Sequence, residues 1–254
     1  MKVTILGCGG SGGVPLIGNV WGACDPANPR NRRRRCSILI ERGATTVLVD
    51  TGPDVREQLI DAGVQHLDAV LYTHEHADHT HGIDELRAMN WVMRRPIDCY
   101  ADRMTLDILL KRFDYCFAPP EMRFVRPELV AHPIDGPFEL GSLSVVPFRQ
   151  EHGRLPSLGF RFGRFAYSTD VVHLDETAFA VLEGVDTWIV DCTRETPHPV
   201  HAHLELTLSW IERLRPRRAI LTHMNHTMDY DTLRAKLPPG VEPAYDGMVL
   251  EIGP

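Results

Sequence analysis

The chain has 254 residues, enough for one large domain, and its 43% hydrophobic and 24% charged content excludes disordered, collagenous and low-complexity classes. Its 27 basic and 34 acidic residues give a net charge of −7, so the whole surface is not built to wrap nucleic acid. The unusual count is histidine, at 13 residues, the commonest metal ligand among side chains.

Strands are predicted over residues 3–6, 37–41, 46–49, 69–72, 97–100, 143–148, 159–162, 164–167, 187–190, 218–221 and 248–252, where short β-branched and apolar runs occur. Helices are predicted over 55–62, 83–89, 104–113, 176–183, 204–214 and 230–236. In the fifth of these, Leu204, Leu208, Ile211 and Leu214 form one helical stripe. Residues 7–35 and 114–136 take no regular element, and the second stretch reads as a lid or an interface that leaves a homodimer open. Hairpins come first and strand–helix alternation later, with no repeat and no linker. That order predicts one domain of two sheets with helices outside.

The six cysteines, Cys8, Cys24, Cys36, Cys99, Cys116 and Cys192, contain no C-x-x-C pair, which excludes a zinc knuckle or thioredoxin motif. The opening MKVTILGCGG is broken by glycine before a signal-peptide core can form. No apolar run is long enough to span a membrane. A reduced, cytoplasmic protein is therefore expected.

Gly7, Gly9 and Gly12 match the dinucleotide-binding G-x-G-x-x-G pattern after the first strand. The residues that follow, Gly13, Val14, Pro15 and Gly18, carry no helical period, so the expected role is a turn that lets backbone approach a neighbouring group closely.

The densest chemistry is His74-Glu75-His76-Ala77-Asp78-His79, directly after the strand over 69–72. In extended chain, residues two apart point the same way, so His74 and His76 converge on one point while Asp78 and His79 face a second. Imidazole and carboxylate together suit zinc, iron or manganese. His152, Asp170 and His223 each follow a later predicted strand, so all can gather at one edge of a sheet sandwich.

This ordered set, with Asp50 in Leu-Val-Asp-Thr-Gly, resembles the metallo-β-lactamase superfamily over nearly the whole chain. Within it the chain is most similar to the phosphoribosyl cyclic phosphodiesterases of the carbon–phosphorus lyase pathway. The matching segments are Gly12-Gly13-Val14-Pro15, Trp21-Gly22, Arg34-Arg35-Cys36-Ser37, Val190-Asp191-Cys192, Leu221-Thr222-His223 and Asp246-Gly247-Met248. The resemblance implies a four-layer αββα sandwich and two divalent ions, zinc or manganese, with iron a further candidate. It implies that His74, His76 and His152 hold one ion, that Asp78, His79 and His223 hold the other, and that Asp170 bridges. It also implies that His201, just before the fifth helix, is a general acid or binds a leaving-side phosphate oxygen; His203 is the alternative substrate contact or the neighbour of a helix cap. The family's structural zinc site is not expected, because only Cys24 and His226 remain of its ligands.

Two divalent ions, offset by Asp78, Asp170 and one hydroxide, leave about +1, which favours an anionic substrate such as a phosphodiester. A bound metal can lower the pKa of water to about 7, so a bridging hydroxide is available at neutral pH. The expected function is hydrolysis of a small ribose-phosphate or nucleotide-like, cyclic phosphodiester, with Asp78 and His201 catalytic. Alternatives on the same fold are a thioester or lactam hydrolase, a transfer-RNA 3′ endonuclease, and a non-catalytic metal-binding accessory protein. No extended basic arm for RNA is present. The run Arg30-Asn31-Arg32-Arg33-Arg34-Arg35 offers local steering of phosphate-bearing substrates as one reading, but such a run is more often a solvated face, with Arg34 and Arg35 the better candidates for pairing with acids. His66, His81, His132, His173 and His198 read as surface or supporting residues.

Overall fold

A computed structural model describes residues 1–117 and 128–253 of the chain. In chain order the strands are β1 (Lys2–Gly7), β2 (Ser37–Arg42), β3 (Thr45–Val49), β4 (Ala69–Leu71), β5 (Ile97–Ala101), β6 (Leu129–Pro133) and β7 (Phe138–Leu140). They continue as β8 (Leu143–His152), β9 (Leu155–Phe162), β10 (Phe165–Ser168), β11 (Thr187–Asp191), β12 (Arg218–Thr222), β13 (Val241–Pro243) and β14 (Val249–Glu251). The helices are α1 (Val55–Asp61), α2 (Ala77–Thr80), α3 (Leu86–Met93), α4 (Arg103–Arg112), α5 (Asp114–Phe117), α6 (Glu176–Leu182), α7 (Leu204–Leu214) and α8 (Tyr230–Lys236).

Two seven-stranded mixed sheets result, ordered β14-β1-β2-β3-β4-β5-β6 and β13-β12-β11-β10-β9-β8-β7. Alternation assigns the faces. Ile38, Ile40, Val47, Val49, Ala69 and Leu71 enter the core between the sheets, where they meet Val145, Phe160, Phe162 and Tyr167. The intervening Leu39, Leu48 and Val70 turn outward and are covered by Val55 and Leu59 of α1, Leu86 of α3 and Leu109 of α4. A strand apolar on both faces must be covered twice, which produces helix layers outside the sheets. On the second sheet α6, α7 and α8 supply Phe179, Trp210, Ile211 and Leu233 to the same core. The expected αββα sandwich is the fold.

Within this fold the strands and helices expected from periodicity are present, with shifted ends. The strand over 143–148 runs on to His152, so that candidate ligand ends the strand itself. The helix over 83–89 divides into a 3-10 turn, Ile83–Glu85, and α3. In α7 the buried centre is Thr207, Trp210 and Ile211, while Leu204, Leu208 and Leu214 are only partly buried along its flank. Thr207 takes the inner position because its hydroxyl donates to the Asp191 carbonyl at 2.7 Å.

Among the described residues, five short strands and α-helices, β6, β7, β13, α2 and α5, carry no periodic signal, and neither does a 3-10 turn, Pro29–Asn31, within the stretch 7–35. β6 and β13 each end in proline, and β6, β7 and β13 all lie at sheet edges, where a missing amide donor is tolerated. β6 and α5 fall inside the stretch 114–136 that the sequence leaves unassigned; its residues 118–127 lie outside the described residues.

Hydrogen bonds between loops lock the strand ends that build the site. Leu158 N–H donates to the Thr73 carbonyl at 2.8 Å and ties the second sheet to the histidine motif. Ala202 donates to Val171, Thr193 to Ala202, Asn225 to Thr193, and Met224 to Cys8, so successive loops are laced side by side. The turn over 50–54 lies directly against α2, and a β-carbon on Gly52 would stand 2.2 Å from the Asp78 carbonyl, so only glycine fits there.

Candidate metal centre

Seven side chains meet at one edge of the sandwich. Four come from the loop after β4 and from α2: His74, His76, Asp78 and His79. Three come from the second sheet: His152 at the end of β8, Asp170 after β10 and His223 after β12. They form two groups that share Asp170, namely His74, His76, His152 and Asp170, and Asp78, His79, Asp170 and His223.

In the first group His74 Nε2 lies 3.0 Å, and His152 Nε2 3.3 Å, from His76 Nδ1. Asp170 Oδ2 is 3.7 Å from His74 Nε2 and 3.6 Å from His152 Nε2. In the second group His79 Nε2 is 3.4 Å from Asp78 Oδ2 and 3.1 Å from Asp170 Oδ1. His223 Nε2 is 3.8 Å from Asp78 Oδ2 and 3.4 Å from Asp170 Oδ1. Asp170 thus offers a different oxygen to each group.

These separations fit a metal. Ligands about 2.0–2.1 Å from a tetrahedral zinc stand about 3.3–3.4 Å apart, the middle of the observed range. His79 Nε2 and His223 Nε2 are buried and have no hydrogen-bond partner, an arrangement that a coordinated cation satisfies. Nitrogen and carboxylate donors without thiolate suit zinc, manganese or iron.

The opposite edge is held in four of the five rings. His79 Nδ1 lies 2.7 Å from Asp50 Oδ2, which also accepts from the Thr73 hydroxyl at 2.8 Å. The Thr73 hydroxyl in turn faces His74 Nδ1 at 3.0 Å, so Asp50 orients one histidine directly and another through threonine. The second sheet repeats this device. Asp191 Oδ1 accepts from the Thr193 hydroxyl at 3.0 Å, and Thr193 faces His223 Nδ1 at 3.1 Å. Asp191 Oδ2 lies 3.1 Å from His201 Nδ1 and accepts from Val171 N–H at 3.0 Å. His152 Nδ1 donates to the Val200 carbonyl at 2.7 Å. In each of His74, His79, His152 and His223 the Nδ1 edge is engaged, which leaves Nε2 as the ligand atom.

Charge follows geometry. Burial, with His79 next in weight, holds His74 well below the ordinary histidine range, and burial also lowers His152. Both rings are neutral and carry free lone pairs. Burial opposes charge on His79 as well, but Asp170, Asp78 and Asp50 overcome it and raise its pKa. His223 follows the same balance, burial against Asp170, and is pushed up to about 9. Burial acts to raise Asp170 and Asp78 too, yet the surrounding imidazoles hold both carboxyls below their usual range. A carboxylate field strong enough to do this also draws a divalent cation. Asp50, Asp170 and His223 have φ of 64°, 52° and 58°, a left-handed conformation that asparagine, aspartate and histidine adopt more readily than most residues.

His201 joins the site. Its ring lies 4.6 Å from that of His223 and 4.7 Å from that of His152, and it forms a third group with Asp191 and His223. His203 stands apart: it is the N-cap residue of α7, makes no side-chain cap bond, and belongs to none of the three groups. Sequence reasoning assigned no role to Asp191, Thr73 or Thr193. Asp191 sits at a strand end like the ligands, so position was its available signal; the threonines carry none.

A cleft of about 290 Å³ opens beside His201 and His223, lined also by the turn over 10–13, Thr193, His198, Asn225 and His226. The glycine pattern therefore forms a cleft wall, with Gly10 against His223, and it is not followed by a helix. His198, read from sequence as a surface or supporting residue, also lines this cleft.

The arginine run is mostly engaged: Arg33 is buried, Arg30, Arg34 and Arg35 are partly buried, and Arg32 is exposed. Arg34 pairs with Asp61 at 2.5 Å and Arg35 with Asp54 at 2.9 Å, while Arg30 stacks on Tyr230 and Tyr245 and Arg32 on Trp21. Arg33 is buried, donating to the Met228 carbonyl at 2.6 Å and the Asn225 carbonyl at 3.2 Å, with Cys24 Sγ 3.8 Å away. It cross-links the loop over 7–35 to the loop after β12. Cys24 and His226 belong to none of the metal-ligand groups among the described residues.

Residues 45–224 match the Beta-lactamase superfamily domain, and the chain belongs to that superfamily. Its fold is that of a hydrolase family that binds divalent metals. A solved structure described as a new diphosphatase from the PhnP family superposes with a TM-score of 0.89 at 32% identity, covering 98% of this chain and 96% of that one. A protein named Octanoyltransferase from Porphyromonas gingivalis is 33% identical over 98% of this chain, which spans only 51% of that protein's length. The Anti-Pycsar protein Apyc1 of Paenibacillus harenae is 28% identical over 76% of this chain and 84% of its own length.

Proposed function

We propose that this chain is a dinuclear metal-dependent phosphodiesterase for small anionic ribose-phosphate or nucleotide-like esters. It works as one domain over residues 1–254, in a reducing cytoplasm. The observation that carries this reading is the pair of ligand groups sharing Asp170, whose two oxygens face different groups. The likeness to a PhnP-family diphosphatase over nearly the full length of both chains supports the substrate class. So does a cleft wall with four histidines and, among the described residues, no carboxylate. All six cysteines are free and buried, consistent with the compartment. Among the described residues no helix is long and apolar enough to cross a membrane.

His74, His76, His152 and Asp170 would hold one ion, and Asp78, His79, His223 and Asp170 the other, with zinc or manganese preferred and iron third. Bound there, the ions would supply Lewis-acid charge and lower the pKa of water. The chain's own groups do the rest. Asp78, its side chain 13% exposed, accepts the proton of the attacking water as the new phosphorus–oxygen bond forms. As the bond to the leaving oxygen breaks, His201 gives that oxygen a proton from Nε2. Asp191 on Nδ1 fixes the ring and turns Nε2 to the leaving oxygen. His203 receives no role from its position.

The test is turnover by protein loaded with zinc or manganese, using cyclic ribose phosphates, linear phosphodiesters, diphosphates, phosphomonoesters, thioesters and lactams. Phosphodiester or diphosphate turnover is expected; its absence with either metal overturns the reading. The thioester arm covers the octanoyltransferase-named relative, of which this chain spans half.

A further inference from the structure

Arg33 is a buried cation that the hydrolytic chemistry leaves unused. It is 2% exposed, and among the described residues no carboxylate pairs with it. A charge taken out of water without a counter-charge is costly, so the acceptors held by its planar fork must offset it. Nη2 donates to the Met228 carbonyl at 2.6 Å and to Asn31 Oδ1 at 3.3 Å. Nη1 donates to the Asn225 carbonyl at 3.2 Å, with Cys24 Sγ at 3.8 Å. The Arg33 backbone exchanges hydrogen bonds with Val14, its N–H donating at 2.9 Å and its carbonyl accepting at 2.8 Å. One residue thus joins Val14, the segment over 24–31 and the loop after β12.

From Asn225 the contacts run on to a candidate ligand. Asn225 N–H donates to the Thr193 carbonyl at 3.0 Å, and the Thr193 hydroxyl faces His223 Nδ1 at 3.1 Å. Between His223 and Asn225, Met224 N–H donates to the Cys8 carbonyl at 2.9 Å. His223 has a φ of 58°, a left-handed conformation that persists only where the surroundings hold it. The first ligand group is fastened elsewhere, His74 through Thr73 and His152 through Val200, and Arg33 bonds to neither.

We propose that Arg33 is a positioning residue for the second ligand group: its fork holds the backbone over 225–228 where Thr193 and His223 meet, and so sets how tightly the ion at Asp78, His79 and His223 is bound. This rests on the dinuclear reading. Lysine at this position keeps the charge but lacks the planar fork, so the fork and not the charge is the acting feature.

The test titrates zinc-loaded wild type, Arg33→Lys, Arg33→Met, Thr193→Val and the Arg33→Lys/Thr193→Val double variant with a chromophoric chelator. Arg33→Met is the second variant at this position because an apolar side chain in place of a buried charge can preserve folding. Wild type is expected to release two ions. Both Arg33 variants are expected to hold one ion as wild type does and the other about tenfold more weakly, the lower end of what an outer partner of a metal ligand contributes. Thr193→Val is expected to weaken the same ion. The double variant should resemble Thr193→Val alone, because Arg33 acts through that contact. Circular dichroism and urea unfolding check the fold of each variant. Unchanged affinity for both ions in a folded Arg33 variant, equal weakening of both, or additive effects in the double variant overturns the proposal; a merely structural arginine gives one of these. If wild type holds fewer than two ions, the dinuclear reading fails and the His223 ring decides. Its NMR signal in the protein as purified, assigned by its loss in His223→Gln, is expected to shift in Arg33→Lys while those of His74 and His152 stay. An unmoved His223 signal in the folded variant overturns the role.

Discussion

Asp170 and His201 stand only 3.9 Å apart, yet their surroundings give them different work. Asp170 faces four histidines with both oxygens, so its loss removes a donor from each ligand group. Asp170→Ala is expected to cost metal occupancy and activity together, read by elemental analysis and turnover of the same sample. His201 is outside both of the groups joined by Asp170. His201→Ala should keep its metals and lose about 10²–10⁴-fold in kcat. Full activity in either variant refutes the role assigned to it. The gathering of these side chains was legible in the sequence because each member lies at or just past a strand end and the motif is dense. Asp191 and Thr193 were not, because their value lies in what they face. The His201 to Asp191 contact joins residues ten apart, whereas Thr193 to His223 spans thirty.

Elements carry the site through their ends, and α8 shows how a helix cap reaches a distant loop. Asp229 accepts from Thr232 N–H at 3.0 Å as the N-cap, and also from the Asn31 amide at 2.6 Å and Asp25 N–H at 3.2 Å. One carboxylate thereby starts the helix and fastens the loop over 25–31. Burial opposes its ionisation, but the Thr232 and Asp25 amides, with Asn31, bring it down to about 2 from an ordinary 3.8. A folded value below the unfolded one means that the stabilisation is complete above about pH 4. It fades as the pH falls towards 2. Asp229→Ala is expected to cost about 1 kcal/mol at pH 7, the usual worth of an N-cap. The side chain is partly exposed, so solvent screening limits the ionic share of that value. Urea unfolding of both proteins at pH 7 and pH 3 should show the gap narrow in acid; a constant gap would count against the assignment. The helix over 230–236 was readable from its period, but its tie to Asn31 was not, since no local pattern links positions nearly two hundred residues apart.

At the scale of the molecule the two sheets are joined by their core and, at one edge, by the ligand groups. His74, His76, Asp78 and His79 follow β4 of the first sheet, and His152, Asp170 and His223 belong to the second. Metal held by these groups would therefore staple the two sheets together. Metal held at a thousandfold excess over its Kd adds about 4 kcal/mol. For a domain of this size that corresponds to roughly 8–16 °C in Tm. Thermal melts with zinc and with a chelator should differ by that order in wild type and by much less in Asp170→Ala. Equal melting of the wild type in both conditions would refute the staple. The net charge of −7 describes the average surface, whereas among the described residues no carboxylate lines the cleft, so local and average charge differ there.

The sequence by itself determined the two alternating apolar faces, hence the sandwich, and the placement of histidine and aspartate at strand ends. Both are local properties, set by the two-residue period of a strand and by residue type. Only the tertiary structure decided that Asp170 turns one oxygen to each ligand group, that Arg33 is buried as a cross-link, and that His198 and the glycine turn share a cleft. Those facts depend on sheet order, strand register and the angle at which loops leave the strands. They are fixed by packing between segments far apart in the chain, which no local period records.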